Sequence, residues 1–241
     1  MKKSLKISLI LIVIIILVVP MSGCGKKEEG NTKTKDGSTD VINDSESKIL
    51  SESYKSLLEA RDGVVAKIEE PAKSRINGIF KVLDMMAIPL KVCGLDEETA
   101  KTSLKDYYEN IYYNDIEDIE YITEGNKYII MFKNEGALGK FIAYYDEKSD
   151  SAQVEMYIED KLISKYEYTK IESGYAEQYY IYEDGEIVMC KTFFTDKDFC
   201  IGFDIKEGSS IYKGDANFDN NWVKSGDLWI EYENGVVNYS D

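Results

Sequence analysis

Histidine is absent from all 241 residues. That absence removes the usual general base near neutral pH and the commonest transition-metal ligand. Neither Ser-His-Asp nor Cys-His machinery nor a His-ligated zinc site can be assembled. Carboxylate, tyrosine or lysine chemistry survives this exclusion. With 45 acidic residues, however, an Asp/Glu pair arises by chance, and a solvated acidic face is the plainer reading. The sequence therefore calls for a non-catalytic protein without a cofactor. Basic residues are also scarce: 29 Lys and Arg leave a net charge of −16. Such a surface repels phosphate backbones, which excludes nucleic acid as a partner.

Long apolar runs are missing too, apart from Ile7 to Val19, which is broken only by Ser8. This run is too short to cross roughly 30 Å of hydrocarbon as a helix, but it suits a secretory h-region of about 7–15 residues after a basic start. Lys2, Lys3 and Lys6 precede it, and Pro20-Met21-Ser22-Gly23-Cys24 follows. The order resembles the signal peptide and lipobox of bacterial lipoproteins, with Met21 where that family prefers Leu. The resemblance implies cleavage after residue 23, a thioether-linked diacylglycerol on Cys24, and a chain held by its lipid at the extracytoplasmic face of the cell membrane. One acyl chain anchors only marginally at roughly 0.8 kcal/mol per buried CH₂, whereas two or three on one residue amount to stable attachment.

Beyond Cys24, cysteine is limited to Cys93, Cys190 and Cys200. An odd number outside the cytoplasm leaves at least one unpaired, and a turn at Asp196-Lys197 would put Cys190 and Cys200 on opposite faces of their strands. All three read as buried small apolar residues, so the domain must rely on its hydrophobic core.

Residues 24–45 show no periodicity and cannot bury enough surface to offset ordering entropy, so they read as a tether. A helical segment over 46–113 follows. Ile49, Leu50, Tyr54, Leu57, Leu58, Val64, Val65 and Ile68 recur mostly at three- and four-residue steps up to Pro71. Ile76, Ile79, Phe80, Leu83, Met86 and Ala87 repeat the pattern up to Pro89. A third helix opens at Asp96, a suitable N-cap, with Glu97 and Glu98 in its first turn.

Over 114–241 the period changes to two, with turn signals at Gly125-Asn126, Glu135-Gly136, Glu159-Asp160, Glu172-Ser173, Asp184-Gly185, Asp196-Lys197, Glu207-Gly208, Ser225-Gly226 and Asn234-Gly235. The expectation is one α+β domain: three N-terminal helices packed on a large curved antiparallel β-meander of roughly nine to eleven strands. Runs such as Tyr128 to Phe132 are apolar on both faces, so helices should cover part of the sheet's second side. In outline this order is similar to the LolA-like family, whose open barrel shelters acyl chains, and to NTF2-like domains.

Candidate binding residues come from the aromatics. Tyr166 and Tyr168 share a strand face, and with Tyr179 they offer rigid plates with polar tips. Trp222 and Trp229 flank a glycine-containing turn and have the chemistry of interface anchors. Against this stands the liking of tyrosine for half-buried pleated surfaces and of tryptophan for core packing. Asp215, Asn217 and Asp219 place oxygens at alternate positions, as the start of a calcium loop does. Asn220 in place of the turn glycine and Gly226 at the twelfth position remove two defining parts, so the segment reads as an Asx-rich turn with no metal.

The function expected from these readings is a non-catalytic binding or scaffold module for an envelope protein or cell-wall component. A LolA-like carrier or sensor of a hydrophobic ligand is the alternative. A carboxylate-based wall hydrolase ranks third, since it needs two acids about 5–9.5 Å apart in one cleft.

Overall fold

Turn chemistry divides the second half of the chain. Glu135 and Gly136, Glu159 and Asp160, and Asn234 and Gly235 all adopt positive φ. Paired positive φ gives the tight turn whose twist matches two antiparallel strands. The strands so joined are β1 (Ile116–Glu124), β2 (Lys127–Asn134), β3 (Ala137–Asp146), β4 (Ser151–Ile158), β5 (Lys161–Ile171), β6 (Gly174–Glu183), β7 (Glu186–Thr195), β8 (Phe199–Asp204), β9 (Leu228–Glu233) and β10 (Val236–Tyr239). They form one antiparallel sheet in simple sequence order, with β1 and β10 at its edges. The computed structural model describes residues 49–112, 116–183, 185–206, 208–213, 218–226 and 228–240. The expected signal peptide, Cys24 and the tether lie outside them.

Three helices precede the sheet: α1 (Leu50–Val65), α2 (Ala72–Met86) and, after a 3-10 turn at Ile88–Lys91, α3 (Glu97–Tyr112). Asp96 caps α3, accepting the Thr99 N–H at 3.0 Å. Each helix buries the stripe its spacing dictates: Leu50, Tyr54, Leu57 and Val64 on α1, Ile76, Phe80 and Leu83 on α2, and Ala100, Leu104 and Tyr108 on α3. These stripes meet one face of the sheet, here called the inner face. Tyr54 lies 6.1 Å from Tyr166, Phe80 lies 5.9 Å from Phe199, and Tyr108 lies 5.2 Å from Phe132, measured between ring centroids. Burial of such large rings supplies most of the driving force for docking the helices.

The α+β class and the antiparallel sheet match the sequence expectation, but the helix content differs in detail. A short helix, α4 (Asn220–Val223), lies within the connection 205–227. Gly208 and Ser225-Gly226 both fall on that one connection, and among the described residues no strand lies between them, since β8 is followed directly by its partner β9. Asp219 starts α4 by accepting the Trp222 N–H at 3.0 Å. Gly202 makes room for it: a Cβ there would lie 2.9 Å from both Val223 Cγ1 and the Val223 carbonyl oxygen. α4 therefore rests on the outer face, opposite the other helices.

Cys93, Cys190 and Cys200 are buried and free. Cys190 pairs with Phe203 and Cys200 with Phe193, which places the two cysteines on opposite faces. Burial pushes the Cys200 thiol up to about 12, so it is inert at neutral pH.

Candidate functional site

Strand alternation puts Tyr166, Tyr168 and Tyr179 on the inner face, beneath α1. Their exposures are 0%, 0% and 1%. These three candidate binding residues therefore lie under the helices, which cover the face their spacing assigns them to. The rings form a continuous inner layer, with Tyr166 and Tyr179 at 4.4 Å.

A charged cluster lies within this layer. Arg61 of α1 directs Nη1 at Glu177 Oε1 of β6 (3.3 Å) and at the Tyr179 hydroxyl (3.3 Å), and Nη2 at Asp84 Oδ2 of α2 (2.6 Å). The Tyr166 and Tyr179 hydroxyls donate to the same Glu177 oxygen at 2.8 and 2.9 Å. Phe80 lies under the guanidinium, with its centroid 3.8 Å away. Arg61 and Glu177 expose 2% and 0% of their side chains. Burial pushes the Glu177 carboxyl up, and the charge of Asp84 adds to this; Arg61, Tyr166 and Tyr179 offset it in part. A neighbouring group links the hydroxyls of Ser53 and Tyr168 at 2.7 Å, with the Asp150 carboxylate accepting from both Ser53 and Tyr145. Both clusters tie helices to the sheet.

The sequence reading missed Arg61. Its signal was available, since Leu50, Tyr54, Leu57, Arg61 and Val64 follow one helical stripe, and position 61 falls in its middle.

The outer face divides into two parts. Across β4 to β6, residues 208–213 cross the strands as a strap. Buried Glu167 accepts the Ser210 hydroxyl and the Ile211 N–H at 2.6 and 3.0 Å, and pairs with Lys165 at 2.7 Å. Over β7 to β9 lie α4 and the two tryptophans, both half-buried. Trp222 packs edge-on against Phe218 at 4.8 Å, with the Lys191 ammonium 5.3 Å from its ring. Trp229 has the Lys224 ammonium 5.0 Å from its ring, and Lys224 pairs with Glu231. They sit on the same face, each capped by a lysine of its own. Asp219 serves as the cap of α4, and Asp215 and Asn217 lie outside the described residues. Among the described residues, no group of three or more Cys, Asp or Glu side chains converges to hold a metal ion.

Beyond the strap's end, where the Lys213 N–H reaches Ser151 of β4 and its ammonium pairs with Asp146 of β3 at 3.3 Å, no described segment crosses the outer face of β1 to β4. Ile122, Ile129 and Ile142 form a row directly across three strands. On one side lie Met131, Lys140 and Tyr157, and on the other Lys127, Tyr144 and Gln153. Ile122 is 39% exposed and Leu138, on the same face, 42%. Adjacent apolar side chains on an open sheet face of a strongly charged protein mark a contact surface. Lys140 over Tyr157 at 4.8 Å and the Lys140–Asp160 pair give the patch a polar rim. This is the candidate site, and the tryptophans lie outside it, on the covered part of the same face.

Comparison with protein-family models, with curated proteins and with solved structures finds no match. No helix among the described residues is long and apolar enough to cross a membrane.

Proposed function

We propose that the chain is a lipid-anchored extracytoplasmic lipoprotein, attached through Cys24, that binds a protein partner of the cell envelope through the outer face of β1 to β4 and performs no chemistry. The observation that carries this reading is the isoleucine row Ile122, Ile129 and Ile142, which no described segment covers, whereas the strap and α4 lie over much of β4 to β9 on that face. A row of apolar side chains with a mixed-charge rim suits a protein surface better than a sugar, which would call for planar rings flanked by hydrogen-bonding groups. Enclosure of a hydrophobic ligand is less well supported, because rings from helices and strands fill the inner face.

Two variants test the two halves of the proposal. Cys24→Ser should shift the protein from the membrane fraction to the soluble extracytoplasmic one, and unchanged attachment would refute the anchor. Ile129→Glu with Ile142→Glu should leave the unfolding midpoint near that of the parent and abolish partner association. Association at parental strength would refute the surface.

A further inference from the structure

The connection between β8 and β9 is far longer than two adjacent antiparallel strands require, since every other turn of the meander spans only a few residues. Its first part is held by side chains that read backbone. Gln178 Nε2 donates to the Ser209 carbonyl at 3.0 Å, and the Tyr180 hydroxyl donates to the Gly208 carbonyl at 3.3 Å. Glu167 accepts the Ile211 N–H, and Ser151 Oγ accepts the Lys213 N–H at 3.2 Å. Most of these bonds would form with any extended peptide. Three features add selectivity. Gly208 fits closely, because a Cβ there would lie 3.1 Å from Met189 Sδ and 3.2 Å from Gln178 Oε1, and those side chains would have to give by a few tenths of an ångström. Ser210 gives its hydroxyl to Glu167 at 2.6 Å, and Ile211 is buried.

The strap fits this groove imperfectly. Gln178 is fully buried, yet its Oε1 has no hydrogen-bond partner and faces Gly208. Lys213 takes a φ of 58°, a left-handed conformation that costs a non-glycine residue energy. The groove thus offers one acceptor more than the strap satisfies, and the strap ends in strain.

We propose that the outer face over β4 to β6 is a groove for an extended segment of a partner protein, and that residues 208–213 occupy it in cis as an autoinhibitory contact. The preferred occupant carries a small residue, then a hydroxyl residue two places on, then a branched apolar residue, and presents a donor to Gln178 Oε1. This groove is separate from the isoleucine row, so either proposal can fail without the other.

The test uses the full chain and a capped fluorescent peptide with the sequence of residues 208–213. A tethered strap competes at high effective concentration, so the parent should show no binding at micromolar peptide. Ser210→Ala with Ile211→Gly loosens the strap without touching the groove and should bind the peptide roughly tenfold tighter or better. Adding Gln178→Ala and Tyr180→Phe should abolish that binding. A cooperatively folded loosened variant that ignores the peptide would overturn the proposal. Should that variant not fold, hydrogen exchange of the parent decides the matter. The Ile211 amide should exchange by local opening, faster than the paired amides of β5 and β6, and exchange only through global unfolding would count against the proposal.

Discussion

Arg61 on α1 and Glu177 on β6 form an ion pair from which water is excluded on both sides, with Nη1 and Oε1 3.3 Å apart. Asp84 on α2 takes the other guanidinium nitrogen, so one cation joins two helices to the middle of the sheet. Removing that cation leaves two carboxylates without a counter-charge, though Glu177 keeps its two tyrosine hydroxyl donors. Arg61→Met should cost about 3–5 kcal/mol in urea unfolding. Glu177→Gln should cost less, because Asp84 still holds Arg61 and burial already presses Glu177 toward its neutral form. Equal costs would contradict this asymmetry.

The same pair predicts a dependence on pH. Burial, reinforced by Asp84, raises the Glu177 carboxyl above its ordinary value, and Arg61 offsets this only in part. A carboxyl raised in the folded state contributes stability that is full below its unfolded pKa and is lost as pH rises through the folded one. The stability of the parent relative to Glu177→Gln should therefore decline as pH rises from the ordinary carboxylate range and then level off. Asp146, held below its ordinary value chiefly by the Ser149 N–H, acts in the opposite sense, losing its contribution as pH falls. Subtracting the variant curve removes that background. A difference that grows with pH would contradict the assignment.

Gly202→Ala tests the seat of α4. The added methyl would meet Val223 side chain and backbone, both 2.9 Å away. Overpacking of this kind costs about 1–3 kcal/mol. Lifting α4 would also expose Trp222, so the emission of the folded variant should shift to the red. An unshifted spectrum with parental stability would show that α4 is not seated there.

Glu135 has a φ of 51° next to Gly136 at 86°. Asparagine tolerates that conformation better, and Asn-Gly is the preferred pair for such a hairpin. Glu135→Asn should raise stability by up to about 1 kcal/mol, a part of the left-handed penalty. A fall in unfolding midpoint would contradict the turn assignment.

Much of the sheet was legible because turn grammar is local. Glu159-Asp160 and Asn234-Gly235 fall between paired strands, and the spacing of Cys190 and Cys200 around Asp196-Lys197 placed them on opposite faces. The connection 205–227 was not legible, since Glu207-Gly208 signals only that the chain bends and says nothing of what flanks the bend. The aromatic candidates were half legible. Alternation showed that Tyr166 and Tyr168 share a face, but which face the helices cover depends on packing between distant segments. The outer isoleucine row was hidden for a similar reason: Tyr128 to Phe132 is apolar on both sides, and only the packing of α3 on Phe132 separates the core residues Ile130 and Phe132 from the half-buried outer residues Ile129 and Met131.

The most direct test of the partner-binding surface is photo-crosslinking in intact cells from a light-activated residue placed at one strand position at a time. The account predicts a discrete protein adduct from positions 129 and 142 on the outer row and none from position 143 on the inner face. Adducts from position 143, or none from either outer position in protein correctly placed at the membrane, would contradict it.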